Sequence, residues 1–500
     1  MIFLLNSNPS SVNGSSDSSK TDDGYGEPTI EVDDLKLQKV FEGFKFPTSM
    51  AFLGSDDILV LQKNNGTVQR LLNGKIVEEP VLDVSVANYV ERGMLGITID
   101  NKNTLSKYND RIGRTPYIFL YYTEPSDENN ILDKNGEGKD CVLCIPIGHR
   151  LYRYELQDDK LVNPQLILDI PSNPGRSGSS HIGGALVIGP DNNIYLTTGD
   201  GESCQDNSCK DGIQNKTINA QTANVLGGRP PEGRGGILRV DQDGRVIEGI
   251  FSDKYPLNLY YAYGVRNSFG IDFDPVTGNL WDTENGPGFG DEINLVKPGF
   301  NSGWIRIQGM WPINNYELLD STPKEKGYFG MGKIGKPDNL VKFDRMGEYS
   351  SPELAWNRTV GLTAIKFLDS DKLGRLYKDD LFVGDVNGNL YHFDLNPDRT
   401  GLELKGKLLD KVANSDDELE HLIIGKKFHT IVDIESSPDG YLYILSHDGS
   451  IYKLSKGFMK WWGGPALDLW YIIGNEYFSC ACDSFFGLIC FSAKNIDIIF

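Results

Sequence analysis

The sequence is poor in basic residues, in long apolar runs and in alanine-rich stretches, and each shortage argues against a class of protein. Its 49 Lys and Arg residues stand against 70 Asp and Glu residues, a net charge of −21. That charge argues against nucleic acid or an anionic membrane surface as the main partner. No apolar run approaches the ~18 residues that span a bilayer, so we predict no transmembrane helix. The 56 Gly, 23 Tyr and 23 Phe residues favour a turn-rich β protein.

The two ends of the chain differ from its middle. Residues 1–37 begin with a short apolar run and continue into a Ser/Asn/Asp-rich stretch. This pattern predicts a disordered segment, with the remnant of a secretion signal as one explanation. We therefore expect an extracytoplasmic protein (periplasmic, secreted or at the cell surface) whose signal is incomplete in this sequence. Residues 457–500 form a hydrophobic, Cys-containing tail without the turn spacing of the region before it, and we assign it no role.

Four cysteines lie in two short motifs, a C-x-x-C at Cys141 and Cys144 and a C-x4-C at Cys204 and Cys209. Three interpretations stay open: a zinc site of four thiolates, two local disulfides, or free thiols. An oxidising compartment favours the disulfides.

Between residues 38 and 456 the chain repeats one pattern. A short apolar strand, a turn rich in Asp, Asn and Gly, and a second alternating strand recur in six units. Compact copies start at Asp56, Asp379 and Asp439, whereas insertions near residues 101–145, 202–234 and 305–360 separate or follow the others. Period-2 alternation flanked by N-G and D-G signals predicts hairpins, and repeated hairpins of one design favour a β-propeller. Two stacked sandwiches are the structural alternative.

Three loops combine unusual chemistry with glycine. Propellers carry function on the loops at one mouth of the central channel, so these loops are the candidate site. They contain His181 directly before a Gly-Gly pair, Arg266 with Asn267, and Gly286 with Pro287 followed by Asp291 and Glu292.

With these loops the sequence resembles the soluble quinoprotein sugar dehydrogenases, the glucose/sorbosone dehydrogenase family. The resemblance runs from about Phe41 to Lys456 and rests on ERGMLGI, HIGG with IGPDNNIYLTTGD, GVRNSFG, ENGPGFGDEIN with NSGW, and LFVGDVNGNLY, in that order. It implies a six-bladed β-propeller of four-stranded antiparallel sheets. It also implies oxidation of an aldose at its anomeric carbon by hydride transfer to pyrroloquinoline quinone (PQQ).

The resemblance assigns roles to individual positions. His181 matches the general base, and an imidazole titrates close to working pH. Arg266 and Asn267 match cofactor contacts, and a planar guanidinium suits a flat, carboxylated quinone. The carbonyls of Gly286 and Pro287 match those that hold a calcium ion, which readily accepts backbone oxygens.

Two further sets of acidic candidates keep two interpretations each. Asp291 and Glu292 are either a second layer around the calcium ion or carboxylates of the blade surface. Asp200 either orients the base or caps the T-G-D-G turn in which it stands. Glu91 stands where the related enzymes have a polar residue near the cofactor.

The sequence also departs from the family pattern. Where the best-studied enzymes have a lysine late in the chain, this sequence has Asn387 or its neighbours. Where they have two arginines before an S-P-D-G turn, it has His429, Thr430 and Val432. Lys426 and Lys427 lie a few residues upstream as possible substitutes.

Three functions therefore stay open. The first is a sugar dehydrogenase that uses PQQ and Ca²⁺, with a small-molecule sugar and an unknown electron acceptor as partners. The second is a cofactor-less propeller that binds a protein or glycan. The third is a calcium-dependent lactonase or phosphoesterase, which would need a cluster of acidic side chains around the channel ion.

Overall fold

The structure, a computed structural model, describes residues 26–100, 116–126, 144–172, 178–201, 220–313, 339–344, 346–457, 469–473, 476–483 and 487–492. The chain divides into two compact units, Met1–Lys456 and Gly457–Phe500. The second unit contains one antiparallel sheet of three strands, Leu469–Ile473, Glu476–Asp483 and Gly487–Ser492. No helix of the described residues is both long and apolar enough to cross a membrane.

The first unit is an all-β propeller whose blades follow one another along the chain. Two strands precede the first blade, β1 (Thr29–Ile30) and β2 (Leu35–Glu42). The first blade contains β3 (Pro47–Gly54), β4 (Asp57–Gln62), β5 (Thr67–Leu72), β6 (Lys75–Ile76) and β7 (Leu82–Asp83). The second contains β8 (Met94–Asp100), β9 (Tyr117–Pro125), β10 (Pro146–Gln157) and β11 (Lys160–Pro171).

The third and fourth blades share the middle of the chain. The third is built on β12 (Leu186–Ile188), β13 (Ile194–Thr198), β14 (Gly236–Val240) and β15 (Tyr260–Tyr263). The fourth is built on β16 (Ser268–Phe273), β17 (Leu280–Glu284) and β18 (Asp291–Val296). Short strands follow: β19 (Phe300–Asn301), β20 (Ile307–Gln308), β21 (Trp311–Pro312), β22 (Glu348–Tyr349) and β23 (Leu354–Trp356).

The fifth blade and a closing sheet complete the ring. The fifth blade contains β24 (Leu362–Phe367), β25 (Leu381–Asp385) and β26 (Leu390–Phe393). After β27 (Val412–Ala413) and the short helix α1 (Asp416–Leu419), β28 (Ile423–Lys426) joins that blade and pairs with β1. The closing sheet consists of β29 (Ile431–Ser436), β30 (Leu442–Ser446), β31 (Ser450–Lys456) and β2.

The hairpins predicted from the alternating pattern are all present. Some of the predicted strand pairs follow directly in the chain, and others are separated by an insertion. All six pairs are antiparallel neighbours in the sheets: β4 with β5, β9 with β10, β13 with β14, β17 with β18, β25 with β26, and β30 with β31. Period-2 alternation therefore identified the second and third strands of each sheet.

The prediction of a six-bladed propeller of four-stranded antiparallel sheets is wrong. Five successive blades lie between Pro47 and Lys426, followed by a sheet composed from both ends of the propeller, and of these five blades only the second has four strands. The third blade gains β19 and β22 in parallel, and the fourth gains β23 and, in parallel with it, β27. These strands come from long connections that return to the outer edge of a blade and cover its unpaired backbone groups.

A second correction concerns the start of the chain. Residues 26–37, included in the segment expected to be disordered, contain β1 and the beginning of β2. The backbone of Thr29 and Ile30 pairs with Lys426 and Gly425, and Ile30 packs on the apolar core beneath. The expectation for residues 1–25 lies outside the described residues.

Apolar cores lie between neighbouring sheets all around the ring. Because successive residues of a strand point to opposite faces, adjacent side chains enter different cores. Each fully buried large apolar side chain contributes about 1.5–3 kcal/mol of transfer free energy. In order around the ring, the cores include Leu61 and Leu120, Phe119 and Leu196, Tyr195 and Leu280, Trp281 and Leu381, Phe382 and Leu454, and Leu445 and Val60.

Candidate functional site

The strand order places the predicted site residues at one end of the ring. Because neighbouring strands of a blade run antiparallel, the connection that enters a blade and the loop between its second and third strands lie at the same end. We call this end the upper face. The connections carry Glu91, His181, Arg266 and Asn267, and the second-to-third strand loops carry Asp200, Gly286, Pro287 and Asn387.

His181 stands in a strained and tightly held loop. Its φ of 55° lies in the left-handed region, which costs a non-glycine residue on the order of 1 kcal/mol or more. Its backbone N–H donates a hydrogen bond of 2.7 Å to Oε2 of Glu91. A Cβ on Gly199 would lie 2.2 Å from the carbonyl oxygen of His181, so the close approach of these two loops requires glycine. The surroundings thus fix the direction in which the imidazole leaves the backbone.

The imidazole of His181 is paired with the carboxylate of Asp200. Nδ1 of His181 lies 2.6 Å from Oδ1 of Asp200, and the two side chains are 11% and 2% exposed. A carboxylate accepts, so Nδ1 carries the proton and Nε2 of the neutral ring is left as the acceptor. Nε2 makes no hydrogen bond with any described residue. The arrangement is a base held in one tautomer by an acidic partner.

Glu91 and Asn267 lie behind this base. Oε2 of Glu91 also accepts from Nδ2 of Asn267 at 3.2 Å, and Oδ1 of Asn267 accepts from the N–H of Gly183 at 3.2 Å. Asn267 is fully buried. The two side chains therefore contact each other and the loop of His181, and they hold that loop in place.

Arg266 borders the same site. Its Nη1 donates to the carbonyl of Asn285 at 2.8 Å, and its backbone N–H donates to Oε1 of Glu284 at 2.7 Å. Its guanidinium lies over the ring of Trp304, 5.3 Å from the centroid. The buried Nε of Arg266 has no hydrogen-bond partner among the described residues. One N–H of a fixed cation is thus left for a further acceptor.

The loop of Gly286 and Pro287 presents backbone oxygens. No described residue donates a hydrogen bond to either carbonyl. Asp291 holds the loop: its Oδ1 accepts from the N–H of Gly286 at 2.9 Å, and its Oδ2 accepts from Val360 and Gly361 at 2.8 and 2.7 Å. Burial raises the pKa of Asp291, and these three hydrogen bonds oppose the rise. Asp291 therefore fixes the loop between two blades.

Glu292 belongs to a buried acidic group inside the fourth blade. Its carboxylate accepts from Gln308 Nε2 at 2.9 Å and from Asn294 Nδ2 at 3.0 Å. Glu284 and Asp282 lie beside it on β17 and are fully buried. Burial raises the pKa of Asp282 to about 7 and that of Glu284, with help from the charge of Asp282, to about 8. Burial and the charge of Glu284 likewise raise the pKa of Glu292.

Two of the residues named from the sequence in place of the family's cations, Asn387 and Lys426, contact other parts of the protein. Asn387 is exposed, and its Nδ2 donates to the carbonyl of Val360 at 3.2 Å. Lys426 ends β28 at the upper-face end of the fifth blade; its backbone pairs with β1 on the outer side of that blade, and its Nζ lies 2.8 Å from Glu420. Lys63, which sequence reasoning did not consider, stands on the upper face in the loop between β4 and β5 and is 6% exposed.

Trp304 is the residue that sequence reasoning missed. Its Nε1 donates a hydrogen bond of 2.8 Å to Oδ2 of Asp200, and its ring carries Arg266. It is the last residue of the NSGW motif, which marked the resemblance but suggested no role for the indole.

The cysteine motifs are only partly described. Cys144 is disulfide-bonded, which agrees with a disulfide and not with a free thiol at this position. Cys141, Cys204 and Cys209 lie outside the described residues.

Comparison with known proteins confirms the resemblance. The family described as Glucose / Sorbosone dehydrogenase matches residues 44–453. The aldose sugar dehydrogenase of Escherichia coli is 22% identical over 414 residues, which cover 82% of this chain and 90% of that protein. The quinoprotein glucose dehydrogenase B of Acinetobacter calcoaceticus is 33% identical over 203 residues, 40% of this chain and 39% of that protein.

Solved structures share the fold. The apo-form of the soluble aldose sugar dehydrogenase from Escherichia coli matches with a TM-score of 0.57 at 20% identity, over 85% of this chain and 99% of that one. The PQQ-bound aldose sugar dehydrogenase from Streptomyces coelicolor matches with a TM-score of 0.50 at 18% identity, over the same shares of the two chains. Since the family match spans most of the sequence, the chain belongs to the glucose/sorbosone dehydrogenase family, a family of sugar dehydrogenases.

Proposed function

We propose that the protein oxidises an aldose or a related sugar at its anomeric carbon, with PQQ as the hydride acceptor and Ca²⁺ as a second cofactor. The observation that carries the proposal is the His181–Asp200 pair, 2.6 Å apart, with Nε2 of the imidazole left open on the upper face. The cation Arg266 and the open carbonyls of Gly286 and Pro287 belong to the same face.

His181 acts as the general base in this proposal. Nε2 takes the proton of the anomeric hydroxyl, and the carboxylate of Asp200 stabilises the imidazolium that results. Such a base contributes roughly 10²–10⁴-fold to a rate. The buried contacts of Glu91 and Asn267 keep the loop of His181 in place during the transfer.

The residues present fit a flat, carboxylated quinone in part. Arg266 offers a planar guanidinium with Nε unpaired among the described residues, which suits a carboxylate or a quinone oxygen. Asn387 offers only an exposed neutral amide. When bound, PQQ supplies the two-electron acceptor for the hydride, and an external electron acceptor would have to reoxidise it.

The loop of Gly286 and Pro287 fits a calcium ion. Calcium prefers 6–8 oxygen ligands, backbone carbonyls among them, and the two carbonyls would supply part of that set. When bound, the ion supplies a Lewis acid beside the quinone. Asp291 serves this site by holding the loop in shape through its three backbone hydrogen bonds.

A cofactor-less binding protein is the second candidate. The observation in its favour is the loss of cations: no arginine stands at His429 to Val432, and Lys426 is engaged with Glu420. Each missing charge-assisted contact makes the binding free energy of an anionic cofactor less favourable by roughly 1.5–3 kcal/mol.

Isothermal titration of the purified protein with PQQ, with and without Ca²⁺, decides between the candidates. Saturable, calcium-dependent binding followed by reduction of the bound quinone on addition of aldoses supports the dehydrogenase. No heat at high micromolar PQQ would move the assignment to the binding protein.

We keep the extracytoplasmic location as part of this proposal. The disulfide of Cys144 supports it, because such bonds persist in oxidising compartments. Accessible thiols can be counted with and without reductant in protein isolated from its native host; a fully reduced Cys144 there would argue against the location.

A further inference from the structure

Trp304 contacts two parts of the site that the proposed function uses separately. Its indole N–H donates to Oδ2 of Asp200 at 2.8 Å, while the other oxygen of that carboxylate faces Nδ1 of His181 at 2.6 Å. The face of the same indole carries the guanidinium of Arg266, 5.3 Å from the ring centroid. One side chain thus touches both the partner of the base and the cation of the candidate cofactor site.

Trp304 is itself firmly placed. It is 1% exposed, and its backbone N–H donates to the carbonyl of Gly264 at 3.0 Å. Its carbonyl accepts from Nδ2 of Asn224, which is fully buried, at 2.9 Å. A rigid indole can hold a carboxylate in one rotamer, since the carboxylate has a hydrogen-bonded partner on each oxygen.

We propose that Trp304 is a positioning residue that sets both the orientation of the Asp200–His181 pair and the position of Arg266. The inference rests on the proposed function for its catalytic meaning, although the two contacts exist without it. The indole N–H and the indole ring of Trp304 act on different partners. The N–H withdraws negative charge from the carboxylate of Asp200, and the ring supports a cation through its π face.

Two substitutions separate these effects. Trp304→Phe keeps a ring under Arg266 but removes the N–H, whereas Trp304→Leu removes both. Without its donor, the carboxylate of Asp200 holds a proton on His181 more strongly. In Trp304→Phe the titration midpoint of the His181 Cε1–H resonance, assigned through His181→Ala, should move up by about 0.5–1 pH unit. PQQ affinity should change less than about threefold in Trp304→Phe and fall about tenfold in Trp304→Leu.

The chain offers a matched control. Trp281 is fully buried, and its Nε1 has no hydrogen-bond partner among the described residues. Trp281→Phe removes an equivalent N–H from a core and should leave the His181 titration unchanged. An equal shift in both Phe variants, or none in Trp304→Phe, would overturn the inference.

If the variants do not fold, a measurement on the unsubstituted protein still tests the inference. The indole N–H resonance of Trp304 in ¹⁵N-Trp-labelled protein should titrate together with His181, and a resonance insensitive to that titration contradicts the inference. Because both NMR readouts use protein without PQQ, they stand even if quinone binding, and with it the proposed function, fails.

Discussion

The carbonyl oxygen of Arg266 accepts a hydrogen bond of 2.9 Å from the backbone N–H of Asp200. This bond joins a loop inside the third blade to the connection that enters the fourth. The backbone of Asp200, the acidic partner of the base, is therefore held directly against the backbone of Arg266, the candidate cofactor cation. A substitution that shifts the backbone of either loop is therefore expected to move both Asp200 and Arg266, whereas one that removes only the end of a side chain is not.

His181→Ala tests the base. Turnover with an aldose should fall by roughly 10²–10⁴, because the positioned proton acceptor is lost. Affinities for PQQ and Ca²⁺ should stay within about twofold, since the proposed function gives His181 the proton transfer and gives the cofactor contacts to other residues. Steady-state kinetics and calorimetry measure the two effects. His421→Ala, at an exposed histidine, is the control; equal losses in both variants would contradict the role.

Arg266→Ala tests the cofactor contact. Removal of the guanidinium should weaken PQQ binding by about tenfold or more, because a charge-assisted contact is lost. The affinity is measured by calorimetric titration in the presence of Ca²⁺. Arg245→Ala is the matched control, since its side chain is 77% exposed. Unchanged affinity in Arg266→Ala would remove this residue from the cofactor site.

Asp291→Ala tests the loop that presents the calcium carbonyls. Three backbone N–H groups lose their acceptor, so the free energy of unfolding should fall by about 3 kcal/mol. The increase in melting temperature on adding Ca²⁺ should also disappear, because the carbonyls of Gly286 and Pro287 are no longer held. Thermal unfolding with Ca²⁺ and with a chelator measures both effects. Asp253→Ala, at an exposed position, should retain the calcium response.

The buried carboxyl of Asp282 should make the free energy of unfolding depend on pH. The carboxylate of Asp282 is fully buried, and burial raises its pKa from 3.8 to about 7 against the opposing effect of the Asn294 and Ser268 side chains. The folded protein therefore binds this proton more strongly than the unfolded chain. The stabilisation is complete below pH 4 and is lost as the pH rises through 7.

Denaturant unfolding in the presence of a chelator measures this dependence between pH 5 and 8. We expect the free energy of unfolding to decrease by on the order of 2 kcal/mol over that interval. Asp282→Asn, which cannot ionise, should flatten the decrease. The same slope in both proteins would show that other groups, such as Glu284, dominate.

Local sequence patterns could predict much of the fold. The hairpins β25–β26 and β30–β31 follow from alternation and from D-G and N-G turns, which act within a few residues. Two-residue strands such as β19 and β27 carry no such pattern. They pair in parallel with strands that long connections bring beside them, so only the folded ring specifies them.

The site was predictable where its residues stand in motifs. His181 and Asp200 lie in one motif, 19 positions apart, and the structure pairs them. The contact from Trp304 to Asp200 spans 104 positions and depends on where the third and fourth blades meet. Likewise, local sequence does not reveal that Lys426 pairs with Glu420 or that its strand pairs with β1.

The pairing of β2 with β31 has a consequence for how the protein is made. Leu35 lies opposite Lys456 in that pair, so the ring cannot close until almost the entire propeller has left the ribosome. Until then the strands of the closing sheet that have emerged present an unpaired edge, the kind of surface that invites aggregation. The same pairing brings the beginning and the end of the propeller together in space. A circularly permuted gene that joins residue 35 to residue 456 by a short linker and opens the chain between two blades should therefore encode the same ring, with its closing step moved elsewhere.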